Sequence, residues 1–320
     1  MRSCMAAALF LLVLLFGVPW LQYAPREEKP IEETPAAPHL IRVWDGEKTL
    51  EMTMEEYLPG VVRGEMPASF EMEALKAQAV AERTYIYYKM SDGGKPSHPD
   101  ANVCMSSACC SAYTSAETAA AKWGSRGAEY EARIQAAVQE TAGQVMLYGG
   151  EPIFAAFHSS SDGVTANSGD VWVSDLPYLA SVQSPEGEEN VPNYYSVVTF
   201  SAQEFQQKFQ AAHAEAVFGE DPQSWVTDAV RNRSDRVETV KIGGVTVEGT
   251  EVRSLFALRS ASFTVEAAAD SVTFRVTGYG HGVGMSQYGA NELARQGKTW
   301  QEILHWYYTD VTIETYVQTK

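Results

Sequence analysis

The chain has 320 residues, of which 45% are hydrophobic, and its formal net charge at pH 7 is −17. This apolar content is ample for a core, and the length allows one large domain or two smaller ones. The Lys and Arg residues are scattered and form no basic stripe, so we expect no nucleic-acid partner.

An uncharged apolar run at residues 5–23 comes first along the chain. It is long enough to cross a bilayer and shows no small-residue cleavage pattern, so we predict a retained transmembrane anchor over residues 1–24 rather than a cleaved signal peptide. Arg2 precedes the run, which predicts a single-pass protein of the cell membrane with its N-terminus inside and its body outside. Residues 25–39 are rich in Pro, Glu and Ala and are predicted to be a disordered linker.

The folded part is predicted to begin near residue 40, with two short strands followed by two helices. The first helix should end just after Glu65, because the residue before Pro67 disfavours the α conformation. Glu65 then lies at a helix end among apolar neighbours. Such surroundings favour the protonated carboxyl group, as a general acid requires.

The remaining helices and strands alternate irregularly, which predicts an α+β fold. Residues 183–250 contain no motif and are predicted as a separate docking subdomain. Helices are expected at 129–141, 201–209, 251–258, 285–295 and 300–308, and strands at 144–148, 152–157, 178–182, 194–200, 236–242, 245–247, 262–267 and 271–277.

Three stretches carry recognisable motifs. They are GEMPASF followed by EALKAQAVAERTY (64–85), FHSSSDGVTANSGDVW (157–172) and GYGHGVGMSQYGA (278–290). In this order they resemble the stage II sporulation protein D family and the related amidase enhancers. The resemblance runs from about residue 40 to the C-terminus and makes residues 40–320 a catalytic domain around a glycan-binding cleft.

The resemblance implies a membrane-anchored lytic transglycosylase. Such an enzyme cleaves peptidoglycan strands between MurNAc and GlcNAc to 1,6-anhydro-MurNAc products, here in septal wall remodelling during spore engulfment. The implied partners are glycan strands, a cell-wall amidase and membrane proteins of an engulfment complex. One alternative is a non-catalytic glycan-binding enhancer of a partner amidase, and another is a zinc amidase that cuts the stem peptide.

The resemblance also makes Glu65 the catalytic acid. Most glycosidases use two carboxyl groups. A lytic transglycosylase needs one, because the C6 hydroxyl of the muramyl sugar attacks its own C1 and the same Glu donates and then accepts the proton. Glu82 and Asp162 are the carboxyl groups that can converge on Glu65 in the fold and make the enzyme a hydrolase instead.

Several polar residues are predicted to contact the substrate. Lys76 and Arg83 are seven residues apart and share a helix face, and the resemblance places substrate-binding cations at both positions. The glycines of the third motif let backbone approach a ligand, so that His281 can bind a sugar hydroxyl or hold Glu65. A serine-hydrolase triad in the second motif is disfavoured, because no G-x-S-x-G turn is present. The predicted substrate-binding set is Lys76, Gln78, Arg83, Ser160, Tyr178, His281 and Gln287.

Cys104, Cys109 and Cys110 lie in a loop rich in Gly, Pro and Ser. Three cysteines cannot all pair within the chain, so a disulfide from Cys104 to one of the others would leave one thiol. Some members of the family carry Cys-x4-His-Cys here and bind zinc, whereas this chain has Cys-x4-Cys-Cys, with His98 as a further nitrogen donor. We predict a structural zinc ion held by Cys104, Cys109 and Cys110, with the disulfide as the alternative.

Overall fold

The computed structural model describes residues 40–91, 98 and 100–316. They belong to one compact unit, residues 39–320, and form an α+β fold, as predicted. The predicted anchor and linker at residues 1–39 lie outside the described residues. In the part of the chain that is described, no helix is long and apolar enough to span a membrane.

Helices and strands alternate along the described residues. The helices are α1 (Met54–Glu65), α2 (Met72–Met90), α3 (Ala116–Trp123), α4 (Gly127–Glu140), α5 (Ala202–Ala212), α6 (Gly249–Leu255), α7 (Gln287–Arg295) and α8 (Trp300–Tyr307). The strands are β1 (Leu40–Trp44), β2 (Thr49–Thr53), β3 (Val103–Cys104), β4 (Gln144–Tyr148), β5 (Glu151–Pro152), β6 (Phe157–His158), β7 (Tyr195–Ser201), β8 (Val226–Arg231), β9 (Val237–Ile242), β10 (Val245–Glu248), β11 (Phe263–Ala267), β12 (Ser271–Thr277), β13 (Met285–Ser286) and β14 (Thr312–Thr315).

The helix that carries Glu65 is defined at both ends by local sequence. Thr53 and Glu56 form a reciprocal capping box at its N-terminus, which satisfies backbone N–H groups of the first turn. At the other end Met66 is extended, with φ −123° and ψ 136°, because it precedes Pro67. α1 therefore ends at Glu65, as the sequence predicts.

The first apolar core surrounds α2, whose residues are buried on most sides. α2 packs against α1, α4, α7, α8 and β4. Strand β4 lies between β14 and β5, and β13 runs parallel to β6. The pairing of β13 with β6 brings the second and third motifs side by side.

A second apolar core lies between the sheets β11–β12–β7 and β10–β9–β8. The rings of Phe205 in α5 and Phe256, just after α6, stack with centroids 4.8 Å apart. Because this core includes Phe256, Phe263 and Phe274, it does not end at residue 250. The bounds 183–250 therefore do not enclose it, and a docking role for that segment stays a prediction.

Of the predicted strand 152–157, only the two end residues, Pro152 and Phe157, belong to strands. The predicted strand 178–182 is absent, because these residues form an irregular loop. Side chains of the second motif take the hydrogen bonds that a strand partner would take. Asn167 Oδ1 accepts from the Ser181 N–H at 2.8 Å, and Ser168 Oγ accepts from the Leu176 N–H at 2.7 Å. Such short polar side chains compete with regular backbone pairing.

Candidate active site

A cleft of about 720 Å³ opens beside the C-terminal end of α1. All three motifs contribute to its walls, together with the cysteine loop and α6. Among the described residues that line it, Glu65 is the only one with a carboxyl group. The lining residues are Gly64, Glu65, Tyr85, 107–111, 154–159, Trp172, Arg253, 279–281 and Gln287.

Glu65 is held by the segment that follows the cysteine loop. Its Oε1 accepts a hydrogen bond from the backbone N–H of Ala112 at 2.5 Å. Gly64 makes this approach possible, since a Cβ atom there would lie 2.2 Å from the carbonyl oxygen of Ala112. The end of α1 and residue 112 therefore meet without an intervening side chain.

Burial raises the pKa of Glu65, and this effect outweighs the stabilisation of its carboxylate by Ala112 and Gln287. The Nε2 atom of Gln287 is buried and has no hydrogen-bond partner among the described residues. The amide thus lies close enough to the Glu65 carboxyl group to stabilise its carboxylate form, although it makes no hydrogen bond of good geometry to it. It remains available to a ligand or to the carboxylate after proton transfer.

Glu82 lies close enough to Glu65 for their charges to interact. It is 1% exposed, and its oxygens contact Gln78 Nε2 at 3.2 Å and Ser111 Oγ at 2.8 Å. Burial, and then the charge of Glu65, raise the pKa of Glu82 well above its usual value. Glu82 does not line the cleft.

Asp162 is likewise turned away from Glu65. Its Oδ1 lies 3.6 Å from Arg236 Nη2, and both side chains are nearly fully buried. His158 instead faces Val283, whose carbonyl oxygen is 3.2 Å from His158 Nδ1. No hydrogen bond joins His158, Ser160 and Asp162, so a hydrolase triad is not formed by these described residues.

Lys76 and Arg83 do share a face of α2, but α4 packs on that face. Lys76 pairs with Glu73 at 2.8 Å and with Glu140 at 2.7 Å. Arg83 is 1% exposed and donates to the carbonyl oxygens of Thr141 and Val138, at 2.8 and 3.1 Å.

Neither cation lines the cleft, which departs from the predicted substrate contacts. The physical reason is that Arg83 satisfies carbonyl groups at the C-terminal end of α4, and Lys76 neutralises the carboxylate of Glu140 there. Gln78 is also buried and hydrogen-bonds Glu82.

Ser160 and Tyr178 lie next to the cleft rather than in its wall. Ser160 is 1% exposed and pairs through its backbone with Tyr279, the N–H of each donating to the carbonyl of the other. The Tyr178 hydroxyl accepts from the Phe154 N–H at 3.2 Å, and its ring contacts Tyr148. Ser160 and Tyr178 therefore hold Tyr279 and Phe154, which do line the cleft, in place. This is a structural role that does not require contact with a sugar.

His281 does line the cleft, and its ring lies against His158 and Trp172 with centroids 5.7 and 5.0 Å apart. Burial, and then Arg253 and Arg236, lower the pKa of His281 to about 4. Burial also lowers the pKa of His158, whose Nε2 has no hydrogen-bond partner among the described residues. Both imidazoles are therefore neutral near pH 7 and can exchange hydrogen bonds with sugar hydroxyls.

The glycines of the third motif let the chain approach other protein segments. Gly280 has φ +119°, and a Cβ there would lie 2.7 Å from His158 Cβ. Gly284 has φ +71°, and a Cβ there would lie 2.0 Å from the carbonyl oxygen of Ala156. Positive φ combined with such contacts excludes other residues. We expected these glycines to admit a ligand, but in the structure they let the second and third motifs pack together.

The cysteine loop contains a cluster of three soft donors. Cys104 and Cys109 are joined as a disulfide, and the two sulfurs and a ring nitrogen of His98 all lie within 4.8 Å of one another. Cys110 is outside this cluster, because its sulfur accepts from the Cys104 N–H at 3.3 Å. Of the predicted ligands, Cys104 and Cys109 lie together with His98, whereas Cys110 lies apart from them. The zinc ion itself stays a prediction.

Comparison with known proteins decides the family. A sequence profile described as "Stage II sporulation protein" matches residues 46–148. Stage II sporulation protein D of Bacillus subtilis (strain 168) is 37% identical over 265 residues, which are 81% of this chain and 74% of that protein. The chain belongs to the stage II sporulation protein D family, as its motifs predict.

Two further relatives agree with this membership. Stage II sporulation protein D of Bacillus amyloliquefaciens is 37% identical over 286 residues, 89% of this chain and 81% of that protein. A protein named Amidase enhancer from Bacillus subtilis (strain 168) is 28% identical over 310 residues, 81% of this chain and 40% of its own length. The names of these relatives connect the family with sporulation and with an amidase.

In this member of the stage II sporulation protein D family, the cleft also contains residues that the sequence did not single out. Tyr85 belongs to the first motif and lines the cleft. The sequence did not show this, because α2 is long and most of its residues are buried. Phe154 contacts Tyr85, Tyr88 and Trp172 through its ring. Arg253 comes from α6, outside every motif, and no sequence signal pointed to it.

Proposed function

We propose that this protein is a membrane-anchored lytic transglycosylase that cleaves peptidoglycan strands between MurNAc and GlcNAc, in septal wall remodelling during spore engulfment. One observation carries the proposal: Glu65 is the only carboxyl group among the described residues that line the cleft. A hydrolase requires a second carboxyl group as base or nucleophile. An internal transfer to the C6 hydroxyl requires only one.

In the proposed reaction, protonated Glu65 donates its proton to the glycosidic oxygen as the bond from that oxygen to C1 breaks. The C6 hydroxyl of the same muramyl sugar then bonds to C1 and returns its proton to Glu65. Burial raises the pKa of Glu65 and so favours the protonated carboxyl group for the first step, while the Ala112 N–H, bonded to Oε1, stabilises the carboxylate between the steps. The products are a 1,6-anhydro-MurNAc end and a free GlcNAc hydroxyl.

The surroundings of the two other carboxyl groups support this assignment. Glu82 is 1% exposed, and Asp162 is buried against Arg236. Neither can activate a water molecule in the cleft. We therefore assign attack to the sugar hydroxyl and not to water.

We also propose that residues 1–24 anchor the protein in the cell membrane, with the N-terminus inside and residues 40–320 outside the cytoplasm. The support is the uncharged apolar run at residues 5–23. In this arrangement the acidic net charge belongs to a domain that faces the cell wall.

We propose further that His98, Cys104 and Cys109 hold a structural zinc ion when the two thiols are reduced. The three donor atoms lie within 4.8 Å of one another, and imidazole and thiolate are preferred zinc ligands. When bound, zinc would supply a cross-link within the loop and no proton chemistry. His98 also stacks on Trp44, which ties the cluster to β1.

A digest of purified peptidoglycan, read by mass spectrometry, tests the proposed activity. Products with 1,6-anhydro-MurNAc ends and no new reducing ends are expected. New reducing ends would indicate a hydrolase, and freed stem peptides would indicate an amidase. Either result would contradict the proposal.

The second function is a non-catalytic glycan-binding enhancer of a partner amidase. The observation that favours it is the 28% identity to a protein named Amidase enhancer. In that case the digest yields no products, glycan strands still bind, and the rate of a cell-wall amidase rises when the protein is added. Under both functions we propose glycan strands, an amidase and engulfment membrane proteins as partners.

A further inference from the structure

We infer that the cleft continues into a second glycan subsite, formed by Arg253, Arg259 and Tyr279, that binds a carboxylate on the muramyl residue. This inference rests on the proposed function, because it takes a glycan strand as the substrate. Beyond the proposed function, it states that the protein recognises a carboxylate of the substrate and names the residues that bind it.

The subsite is a cavity of about 420 Å³ lined by Arg253, Ser254, Ala257, Leu258, Arg259 and Tyr279. Arg253 and Tyr279 also line the cleft that contains Glu65. The two cavities therefore share a wall, and one extended ligand can occupy both. A glycan strand has this extended shape.

Arg253 is the charged group that faces both cavities. Its guanidinium forms no ion pair or hydrogen bond with any side chain or backbone group in the described part of the chain. By contrast Arg63 and Arg126 each pair with a glutamate, at 2.7 and 2.9 Å. A half-buried, unpaired guanidinium is costly unless an anion binds it.

None of the described residues that line the second cavity has a carboxyl group, although the protein carries a net charge of −17. The two arginines thus leave this wall positive on an otherwise acidic molecule. Guanidinium groups match carboxylates in geometry, since two N–H groups can face the two oxygens. The wall is therefore suited to a carboxylate.

Tyr279 supplies a flat surface next to the two arginines. It is 47% exposed, and Arg259 lies over one face with its Cζ 4.4 Å from the ring centroid. Arg259 is itself fixed, because its Nη1 donates to the Asn193 carbonyl at 2.8 Å. The remaining exposed ring surface can stack on a sugar while Arg253 binds a charged substituent of that sugar.

Within a glycan strand only the muramyl residue offers a carboxylate; GlcNAc has none. The carboxylate is either the free lactyl group of a muramyl residue without a stem peptide or a carboxylate of the stem peptide itself. The shared chemistry is a carboxylate held beside a sugar ring. The experiment separates the two sources.

Binding is measured by calorimetry on full-length Glu65→Gln protein, so that no probe is cut. The probes are glycan strands stripped of stem peptides, strands that retain them, and chitooligosaccharides of equal length without carboxylates. Arg253→Met should weaken binding of at least one carboxylate-bearing probe about tenfold or more and leave chitooligosaccharide binding within about twofold. Arg126→Met, which makes the same charge change at an exposed site outside the cleft, should alter none of the three.

Loss on the stripped strands alone assigns the lactyl carboxylate, and loss on the peptide-bearing strands alone assigns the stem peptide. Equal affinities for all three probes, or an equal loss on all three, would overturn the subsite. Arg253→Lys keeps the positive charge and should retain most of the preference for carboxylate-bearing probes. This second variant keeps the test decisive even if Arg253→Met folds poorly. The products of the unmutated protein are read separately, and a failure there would count against the proposed function alone.

Discussion

Glu65 and Ala112 are joined by a 2.5 Å hydrogen bond from the backbone N–H of Ala112 to the carboxyl oxygen Oε1 of Glu65. The two residues are 47 positions apart, and the cysteine loop lies between them in sequence. The geometry of the Glu65 carboxyl group therefore depends on where that loop ends. Changes that move residue 112 should act on Glu65 without touching it.

Gly64→Ala should displace residue 112, because the new Cβ would lie 2.2 Å from the Ala112 carbonyl oxygen. Overpacking of this kind destabilises folded proteins by about 1–3 kcal/mol. Urea unfolding measures this loss, and cutting should fall as well because Glu65 loses its N–H partner. Gly219→Ala is the matched control, since a Cβ there meets no atom of the described residues within 4 Å. Equal stability of the two variants would disprove the contact.

Glu65→Gln should abolish most of the cutting and preserve glycan binding. The amide keeps the size of the side chain and an oxygen for the Ala112 N–H, but it cannot deliver a proton. General acid–base catalysis contributes about 10²- to 10⁴-fold, so the rate should drop by at least that order. A rate close to that of the unmutated protein would remove Glu65 from the mechanism.

The rate should fall as pH rises through the pKa of Glu65, because only its protonated form is an acid. Burial raises that pKa, so the decline begins at a higher pH than for an ordinary glutamate. Gln287 opposes the rise by stabilising the carboxylate. Gln287→Met should therefore move the alkaline limb of the kcat/KM profile to higher pH. A limb that stays in place would mean that another group controls it.

Glu82→Gln should make the protein more resistant to unfolding as pH rises. The pKa of Glu82 is raised in the folded state, so above the pKa of the unfolded chain the folded state binds more protons and wild-type stability declines with pH. The slope for one group is at most about 1.4 kcal/mol per pH unit. The difference in Tm between Glu82→Gln and wild type should grow from pH 4 to pH 7. A constant difference would show that Glu82 does not titrate abnormally.

The sequence predicts those parts of the fold that depend on neighbouring residues. The Met66–Pro67 step fixes the end of α1, and the Ser201 side chain caps α5 by accepting a hydrogen bond from the Glu204 N–H. Gly149-Gly150 forms the turn between β4 and β5, and Gly243-Gly244 forms the turn between β9 and β10, with positive φ at all four glycines. In each case the residues that predict the feature lie within a few positions of the feature itself.

The parts that the sequence did not predict depend on distant segments. Helical spacing shows that Lys76 and Arg83 share a face, but it does not show that α4 covers that face. Arg253 lies outside every motif, and only the packing of the second core brings α6 to the cleft. Cys109 and Cys110 are adjacent in sequence, so the sequence does not show which of them bonds to Cys104. The loop conformation decides this: Cys109 forms the disulfide and Cys110 does not.

Metal analysis of the purified full-length protein tests the zinc proposal. We expect about one zinc ion per chain, as for a single structural site. Cys104→Ser, Cys109→Ser and His98→Ala should each lose it, because each removes one of the three clustered donors. Cys110→Ser is the matched control and should keep the metal, since its sulfur faces the Cys104 backbone instead. If the protein contains no zinc and its intact mass is two hydrogens below the fully reduced value, the Cys104–Cys109 disulfide is the stable form and the zinc proposal is wrong.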